Sequence, residues 1–204
     1  MYLNGLCFIT DRKLSGLSPE DMTLKVLEAG AKWVQYREKE RSKREIYEEA
    51  VMLRRLTKDY NAVFIINDYV DIAICVDADG VHLGEDDLPL KEARKIIGRN
   101  RIIGISTHNL EQAIDAGRDG ADYIGFGPVF HTKTKNAGKP KGVKMLQEIK
   151  KQVKIPVVAI GGIGIENISS VLDNGADAVA SASAILKGDI EENVKRFMEH
   201  LREK

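Results

Sequence analysis

Three stretches near the start of the chain indicate the fold: LCFIT (6–10), SPEDMTLKVLEAG (18–30) and WVQYR (33–37). The first and the third are short, largely apolar and contain β-branched or aromatic residues, as buried strands do. The middle stretch has the signals of a helix, with Ser18 at its cap, a proline in its first turn and Gly30 at its end. Strand, helix and strand in this order predict a parallel βαβ unit.

The same alternation continues to the end of the chain. Eight runs have strand character, namely the two above and VFIIN (63–67), GVHLG (80–84), IIGIS (102–106), YIGFG (123–127), PVVAIGG (156–162) and AVASASA (178–184). Amphipathic segments connect them, and the one after Asn67 is short. Eight such units in 204 residues predict a single-domain α/β fold over residues 1–204, a (β/α)8 TIM barrel. The alternative is a doubly wound open sheet, but FITDRKLSG (8–16) lacks the glycine fingerprint expected there.

The composition excludes several classes of function. Thirty-one basic side chains balance 31 acidic ones, so no net charge draws the protein to nucleic acid or to anionic lipid. No apolar stretch approaches the roughly 20 residues of a membrane span, and no signal-peptide pattern opens the chain. Cys7 and Cys75 are too far apart for a CxxC motif. We therefore expect two small thiols in the core of a cytoplasmic protein.

Polar residues and glycines gather where each predicted strand ends. They are Thr10 and Asp11, Arg37 and Lys39, Asn67 and Asp68, Asp86 and Asp87, Ser106, Thr107 and His108, Thr132, Thr134 and Lys135, Gly161 and Gly162, and Ser181 and Ser183. In a barrel all of these strand ends meet at one face, where active sites are built. The sequence therefore predicts a polar ring around one mouth of the barrel.

The acidic members of this ring predict a metal site. Asp68 and the Asp86–Asp87 pair supply hard oxygen ligands from neighbouring strands. Such ligands suit Mg²⁺, which takes one or two carboxylates together with substrate phosphate oxygens. Each acid could instead cap a helix, because Asp68 precedes a short helix and the pair precedes Pro89.

The basic members of the ring predict an anionic substrate. Arg37 can bind a phosphate through two parallel hydrogen bonds, while Lys39 and Lys135 act as point charges. The glycines of AIGGIG (159–164) predict a second anion site made of backbone N–H groups, or else a tight turn. Two anion sites and a divalent metal predict transfer of an activated group between phosphorylated small molecules.

Six ordered motifs carry a resemblance to a known family. They are VQYREK (34–39), INDYVD (66–71), ADGVHLGEDDLP (78–89), GISTHN (104–109), GADYIGFGPVFHTKTK (120–135) and IPVVAIGGI (155–163). Through them the chain resembles the family that holds the thiamine phosphate synthases and the thiazole tautomerases. The resemblance implies a transferase that condenses a hydroxymethylpyrimidine pyrophosphate with a thiazole phosphate. It also implies that pyrophosphate departs first and leaves a pyrimidine carbocation.

The same resemblance implies a role for individual residues. Gln35 would contact the pyrimidine, and the pyrophosphate would meet Arg37, Lys39, Asn67, Ser106 and Lys135, of which all but Asn67 would be catalytic. Mg²⁺ would be held by Asp68 and Asp87, the thiazole would meet Thr132 and Thr134, and its phosphate would meet Gly162, Ala182 and Ser183. Family members are often associated, so the resemblance also allows a homo-oligomer.

Two other functions remain open at this point. In a thiazole tautomerase, an isomerase, His108 would shuttle a proton, whereas His82 reads as a packed or supporting residue inside the fourth strand. A non-catalytic barrel that binds a phosphorylated ligand would need the second anion site but not the acidic pair. Asp87, Lys39 and Lys135 suit pyrophosphate and metal, and they therefore favour the synthase.

Overall fold

Eight parallel strands close into a barrel in the computed structural model, which describes residues 3–132 and 138–202. The strands are β1 Gly5–Ile9, β2 Trp33–Tyr36, β3 Val63–Asn67, β4 Gly80–Leu83, β5 Ile102–Thr107, β6 Tyr123–Phe126, β7 Val157–Ile160 and β8 Ala178–Ser181. Each strand pairs with the next along the chain, and β8 returns to β1. The predicted (β/α)8 TIM barrel is thus confirmed, and the open sheet is excluded.

Helices follow the strands around the outside of the barrel. They are α1 Arg12–Ser15, α2 Pro19–Glu28, α3 Lys43–Asp59, α4 Val70–Cys75, α5 Leu90–Ile97, α6 Leu110–Asp119, α7 Gly142–Gln152, α8 Ile168–Asp173, α9 Ser183–Leu186 and α10 Ile190–Arg202. The expected cap is present, because Ser18 Oγ accepts a hydrogen bond from the Asp21 N–H at 3.0 Å. None of the described helices combines the length and the apolar character needed to cross a membrane.

Two details differ from the sequence-based expectations. Ser183 was expected in the eighth strand but is the first residue of α9, because the backbone leaves the extended conformation at Ala182. Cys75 was expected in the core but is exposed, since it ends the short helix α4, whereas Cys7 is buried as expected. Burial raises the pKa of the Cys7 thiol well above its usual range.

The core has two layers that follow the alternation of side chains along each strand. Outward-facing residues such as Phe8, Val34 and Phe64 pack against the helices. Inward-facing residues such as Trp33 and Tyr123 fill the barrel interior. The interior is therefore a packed core, and the space for a ligand lies at its mouth.

At the opposite, amino-terminal end of the strands, an aspartate ties β3 to β4. Asp79 Oδ2 accepts a hydrogen bond from the Phe64 N–H at 2.8 Å. Both oxygens of this carboxylate also accept from the Arg54 guanidinium of α3, at 2.9 and 3.2 Å. One side chain thus joins two strands and the helix that precedes them, and we call this arrangement the aspartate clamp.

The aspartate clamp recurs around the base of the barrel. Two further clamps are formed by Asp122 with the Ile103 N–H and Arg94, and by Asp177 with the Val157 N–H and Lys150. Each follows an alanine and precedes an even-numbered strand. Before β2 the same position is occupied by Lys32, which donates instead to the Tyr60 carbonyl oxygen at 2.7 Å.

We expect Asp79→Ala to lower the free energy of unfolding by about 2–3 kcal/mol, because it leaves the Phe64 N–H and the Arg54 guanidinium without their acceptor. Urea denaturation measures this loss. The control is Asp115→Ala, which removes only an exposed pair with Arg118 and should cost less than about 0.5 kcal/mol. Equal losses in the two variants would show that the clamp adds nothing to an ordinary surface pair.

Candidate active site

The carboxyl ends of the strands surround a cavity of about 140 Å³. Its lining includes six residues that the sequence singled out for substrate: Arg37, Ser106, Thr132, Gly162, Ala182 and Ser183. Asp11 and His108 lie in the same wall. The structure therefore brings residues from six separate stretches of the chain to one mouth, as the barrel topology requires.

Thr10 holds Arg37 at this mouth. The Arg37 N–H donates to Thr10 Oγ1 at 2.9 Å, and this hydroxyl lies 3.2 Å from the Arg37 carbonyl oxygen, to which it donates. Thr10 is buried, so the start of the loop after β2 is fixed to the end of β1. Arg37 also lines a second cavity, of about 420 Å³, together with Lys39. Its guanidinium is thus available to an anion that spans both spaces.

Beside this second cavity, two carboxylates and a lysine lie in contact. Lys39 Nζ forms an ion pair with Asp68 Oδ2, and the Asp87 carboxyl group hydrogen-bonds the Asp68 carboxyl group. The Gly84 N–H donates to Asp87 Oδ2 at 2.7 Å. Burial, and then the neighbouring Asp68 carboxyl group, raise the pKa of Asp87 above its usual value. We call Asp68 and Asp87 the acid pair.

Neither member of the acid pair caps a helix. No side chain accepts a capping hydrogen bond at the start of α4, which follows Tyr69, or of α5, which follows Pro89. Asp68 itself has a left-handed backbone conformation with φ +70°, and its N–H donates to the His82 carbonyl oxygen at 2.8 Å. The helix-capping alternative is therefore wrong, and Asp86 lies exposed beside the pair.

The acid pair offers two carboxylates to a metal ion. Among residues 3–132 and 138–202, no group of three or more His, Cys, Asp or Glu side chains is placed to hold a metal ion. Zinc and calcium sites rely on larger protein ligand sets, whereas Mg²⁺ is commonly held by one or two carboxylates, with substrate phosphate and water. The donor set thus fits Mg²⁺.

The remaining candidates have different positions. Gln35 is buried inside the barrel below the mouth, and Asn67 ends β3 opposite His82. Thr134 and Lys135 lie outside the described residues, so their predicted roles stay predictions. Ala182 and Ser183 line the cavity of about 140 Å³, which we call the main cavity, at the point where β8 ends and α9 begins.

The glycine pair after β7 makes a tight turn against the loop after β6. Gly161 and Gly162 have φ values of +97° and +65°. A Cβ atom on Gly161 would lie 2.6 Å from Pro128 Cα, and one on Gly162 would overlap the His131 carbonyl oxygen. The tight turn is therefore confirmed, whereas the second anion site stays a prediction for a backbone that lines the cavity.

His82 is the supporting residue that its position in β4 suggested. Its Nδ1 lies 2.9 Å from the Tyr123 hydroxyl, and its Nε2 lies 2.9 Å from Ser106 Oγ. Nothing in the sequence around Tyr123 predicts a role at the site, and this tyrosine is buried in the barrel interior. Its position at the start of β6, two residues before Gly125, marked it only as a strand residue.

His108 is held at the rim by the backbone. Its Nδ1 lies 2.6 Å from the Gly127 carbonyl oxygen, which can only accept, so Nδ1 carries the proton and donates. The His108 N–H donates to Gln112 Oε1 at 2.7 Å. This histidine therefore lines the cavity in a fixed orientation.

Comparisons with known proteins agree on one family. Residues 6–185 match the family model described as thiamine monophosphate synthase. The thiamine-phosphate synthase of Methanosarcina mazei is 45% identical over 197 residues, which are 96% of this chain and 82% of that protein. The one of Chloroflexus aurantiacus is 48% identical over 186 residues, which are 90% and 86%. The solved structure of a thiamine phosphate pyrophosphorylase from Pyrococcus furiosus superimposes with a TM-score of 0.91 at 41% identity, covering 98% of this chain and 96% of that one.

The raised pKa of Asp87 predicts how Asp87→Asn changes stability with pH. A raised pKa means that the protonated carboxyl stabilises the fold at low pH, and that this stability is lost as pH rises through the folded-state value. Asparagine cannot ionise and keeps an oxygen for the Gly84 N–H. The stability of the variant relative to that of the parent should therefore rise as the pH is raised from about 4 to about 7.

Urea denaturation in the presence of a chelator at both pH values measures this gain. The control is Asp86→Asn, at the exposed neighbouring position, which should follow the parent at both pH values. A loss of stability of Asp87→Asn relative to the parent on going to neutral pH would contradict the like-charge contact.

Proposed function

The chain belongs to the thiamine monophosphate synthase family, and on this premise we propose how the mouth of its barrel carries out the reaction. The protein is a thiamine-phosphate synthase and hence a transferase of thiamine biosynthesis. Its substrates are 4-amino-2-methyl-5-hydroxymethylpyrimidine pyrophosphate and a thiazole phosphate. The observation that carries the mechanism is the acid pair in contact with Lys39, next to Arg37.

The reaction needs charge neutralisation more than a base. The bond between the methylene carbon of the pyrimidine and the pyrophosphate oxygen breaks, and both electrons leave with the oxygen. The lone pair of the thiazole nitrogen then bonds to the carbon cation, and the products are thiamine phosphate and pyrophosphate. No proton is removed in either step, so the protein lowers the barrier by stabilising the leaving group and positioning the nucleophile.

Asp68 and Asp87 are the residues that would hold Mg²⁺. Two neighbouring carboxyl groups, of which Asp87 has a raised pKa and can donate a hydrogen bond to Asp68 when protonated, form a pair that a divalent cation would stabilise in its ionised form. Bound Mg²⁺ would supply positive charge to pyrophosphate oxygens. Lys39 forms an ion pair with Asp68 and lines the second cavity together with Arg37.

Arg37 and Lys39 bind the pyrophosphate from the loop after β2. The guanidinium offers two parallel donors to phosphate oxygens, and the ammonium adds a point charge. Ser106 donates a hydroxyl proton from the end of β5, and Asn67 adds an amide from the end of β3. Lys135, outside the described residues, completes this set in our proposal.

The thiazole phosphate occupies the main cavity on the other side of Arg37. Gly162, Ala182 and Ser183 line it, and their backbone N–H groups and the serine hydroxyl suit a phosphate. Thr132 in the same wall, with Thr134 beyond the described residues, faces the thiazole ring. Gln35 lies below, where it can reach the pyrimidine. The two anions thus lie on either side of the bond that forms.

Two expectations about the wider setting, a homo-oligomer and a cytoplasmic location, stay predictions. Small phosphorylated molecules are the partners that this site requires. A homo-oligomer and a cytoplasmic location agree with the family resemblance.

We expect the purified protein to form thiamine phosphate from both substrates with Mg²⁺. Arg37→Gln should lower kcat by roughly a hundredfold or more, because it removes charge from the departing pyrophosphate. The control is Arg44→Gln, an exposed arginine at the start of α3 that pairs with Glu48, and it should stay within about twofold of the parent. A coupled assay for released pyrophosphate measures both variants. Absence of thiamine phosphate, with a control synthase active, would overturn the proposed function.

We also expect Mg²⁺ to raise the melting temperature of the parent but not that of Asp87→Asn. Binding to the folded state alone stabilises it, and the variant lacks one of the two ligands. Differential scanning calorimetry with and without the metal measures the shift independently of activity. An equal rise in both proteins would place the metal elsewhere.

A further inference from the structure

Three side chains form a continuous line of hydrogen bonds through the barrel interior, and a fourth, Gln35, lies against the inner end of this line. The Gln35 side chain of β2 lies next to the hydroxyl of Tyr123 of β6, and this hydroxyl lies 2.9 Å from Nδ1 of His82 of β4. His82 Nε2 lies 2.9 Å from the hydroxyl of Ser106 of β5, which lines the main cavity. The line thus connects the side chain assigned to the pyrimidine with a hydroxyl assigned to the pyrophosphate. We call it the interior chain.

We propose that the interior chain has a direction, and that the Gln35 amide sets it, so that recognition of the aminopyrimidine makes Ser106 a donor to the pyrophosphate. Tyr123 and His82 are then positioning residues, since neither touches the reacting atoms. This inference rests on the proposed function and adds a coupling between the two halves of one substrate.

The direction follows from counting protons. Tyr123 has one hydroxyl proton, and burial raises its pKa well above the usual value, so the hydroxyl stays protonated. If this proton is given to His82 Nδ1, a neutral His82 carries its own proton on Nε2 and donates it to Ser106 Oγ. The Ser106 hydroxyl proton is then left for an anion in the cavity.

The opposite direction gives the opposite result. If Tyr123 gives its proton to the Gln35 carbonyl oxygen, His82 Nδ1 must donate to the Tyr123 oxygen, and Nε2 becomes an acceptor. Ser106 then gives its proton to His82 and turns lone pairs toward the cavity. Lone pairs repel a pyrophosphate oxygen, so only the first direction suits the leaving group.

The Gln35 amide can select between the two directions. Its nitrogen only donates and its oxygen only accepts, so the amide must present its nitrogen to Tyr123 for the productive direction. The oxygen is then available to the pyrimidine, whose 4-amino group can only donate. A glutamine oxygen likewise accepts from the exocyclic amino group when glutamine reads adenine. A substrate with the amino group therefore stabilises the direction that makes Ser106 a donor.

The surrounding core keeps the rings in place. A Cβ atom on Gly104 would overlap the Tyr123 ring, and one on Gly125 would lie 3.0 Å from His82 Cε1. The edge of Trp33 packs on the Tyr123 ring with centroids 5.2 Å apart and planes at 85°. Tyr123 is 1% exposed, Gln35 5% and His82 8%. With ring positions fixed and water excluded, reversal of the hydrogen bonds is the freedom that remains.

A double-mutant cycle with Tyr123→Phe and Ser106→Ala tests the proposal. In the parent, Ser106→Ala should weaken pyrophosphate binding and lower kcat/KM about tenfold or more, as loss of a hydrogen bond to a charged group does. In the Tyr123→Phe background the direction is no longer set, so the same change should cost less than about twofold. Equal fold-losses in both backgrounds would overturn the coupling.

The control is Tyr36→Phe, which removes a tyrosine hydroxyl of β2 that lies 2.5 Å from Glu49 Oε2, outside the interior chain. In this background Ser106→Ala should keep its full effect. Melting temperatures identify any variant that fails to fold. Should Tyr123→Phe fail to fold, ¹⁵N spectra of the parent with pyrophosphate and a non-reactive aminopyrimidine still decide, since a His82 protonated on Nδ1 alone would contradict the proposal.

A pyrimidine pyrophosphate without the 4-amino group separates this inference from the proposed function. The parent should lose more kcat/KM with this analogue than Tyr123→Phe does, because the variant has already lost the coupling. Failure of the parent to make thiamine phosphate would remove the function itself. If the parent makes thiamine phosphate at a normal rate but the analogue lowers kcat/KM equally in both proteins, only the inference is overturned.

Discussion

Pairing of β8 with β1 is the constraint on which the rest of the structure depends. All eight strands are parallel, so closing the sheet leaves one face that collects every carboxyl end and another that collects every amino end. Arg37 and Asp68 come from loops separated by a whole helix in the chain, yet each lies beside Lys39 at the same rim. Closure returns the ends of β7 and β8 to the side of β1 and β2, so Gly162 and Ser183 line the same cavity as Arg37.

The two faces are stabilised in different ways. The base is held by three aspartate clamps, in which each carboxylate accepts hydrogen bonds from a strand N–H and from a helix cation. At the mouth, burial and then the like-charged neighbour Asp68 raise the pKa of Asp87. Opposite charges are thus paired at the base of the barrel. At the mouth, two like-charged groups lie together where a cation and an anionic substrate are to bind. Functional sites commonly carry such unfavourable contacts, which ligands relieve.

Sequence patterns could predict the fold and the membership of the mouth, because strand periodicity and helix caps are local signals. They could not predict which mouth residues touch. The contact between Asp68 and Asp87 depends on the left-handed backbone at Asp68 and on the Gly84 N–H, both set by tertiary packing. Tyr123 was missed because a tyrosine in a buried strand has no local mark of its hydrogen-bond partners. The clamps did have a signal, since Gly-Ala-Asp at residues 120–122 and 175–177 and Asp-Ala-Asp at 77–79 repeat before three strands.

Trp33 is the only tryptophan of the chain, and its place in the interior gives the protein a built-in optical probe. Its indole ring packs edge-on against Tyr123, and within the described part of the chain its N–H has no hydrogen-bond partner. Indole emission depends on the dipoles around the ring. The Trp33 ring packs against Tyr123, a member of the interior chain that leads from Gln35 to Ser106. Steady-state fluorescence of the unlabelled protein would therefore follow filling of the mouth from a residue that never meets the ligand.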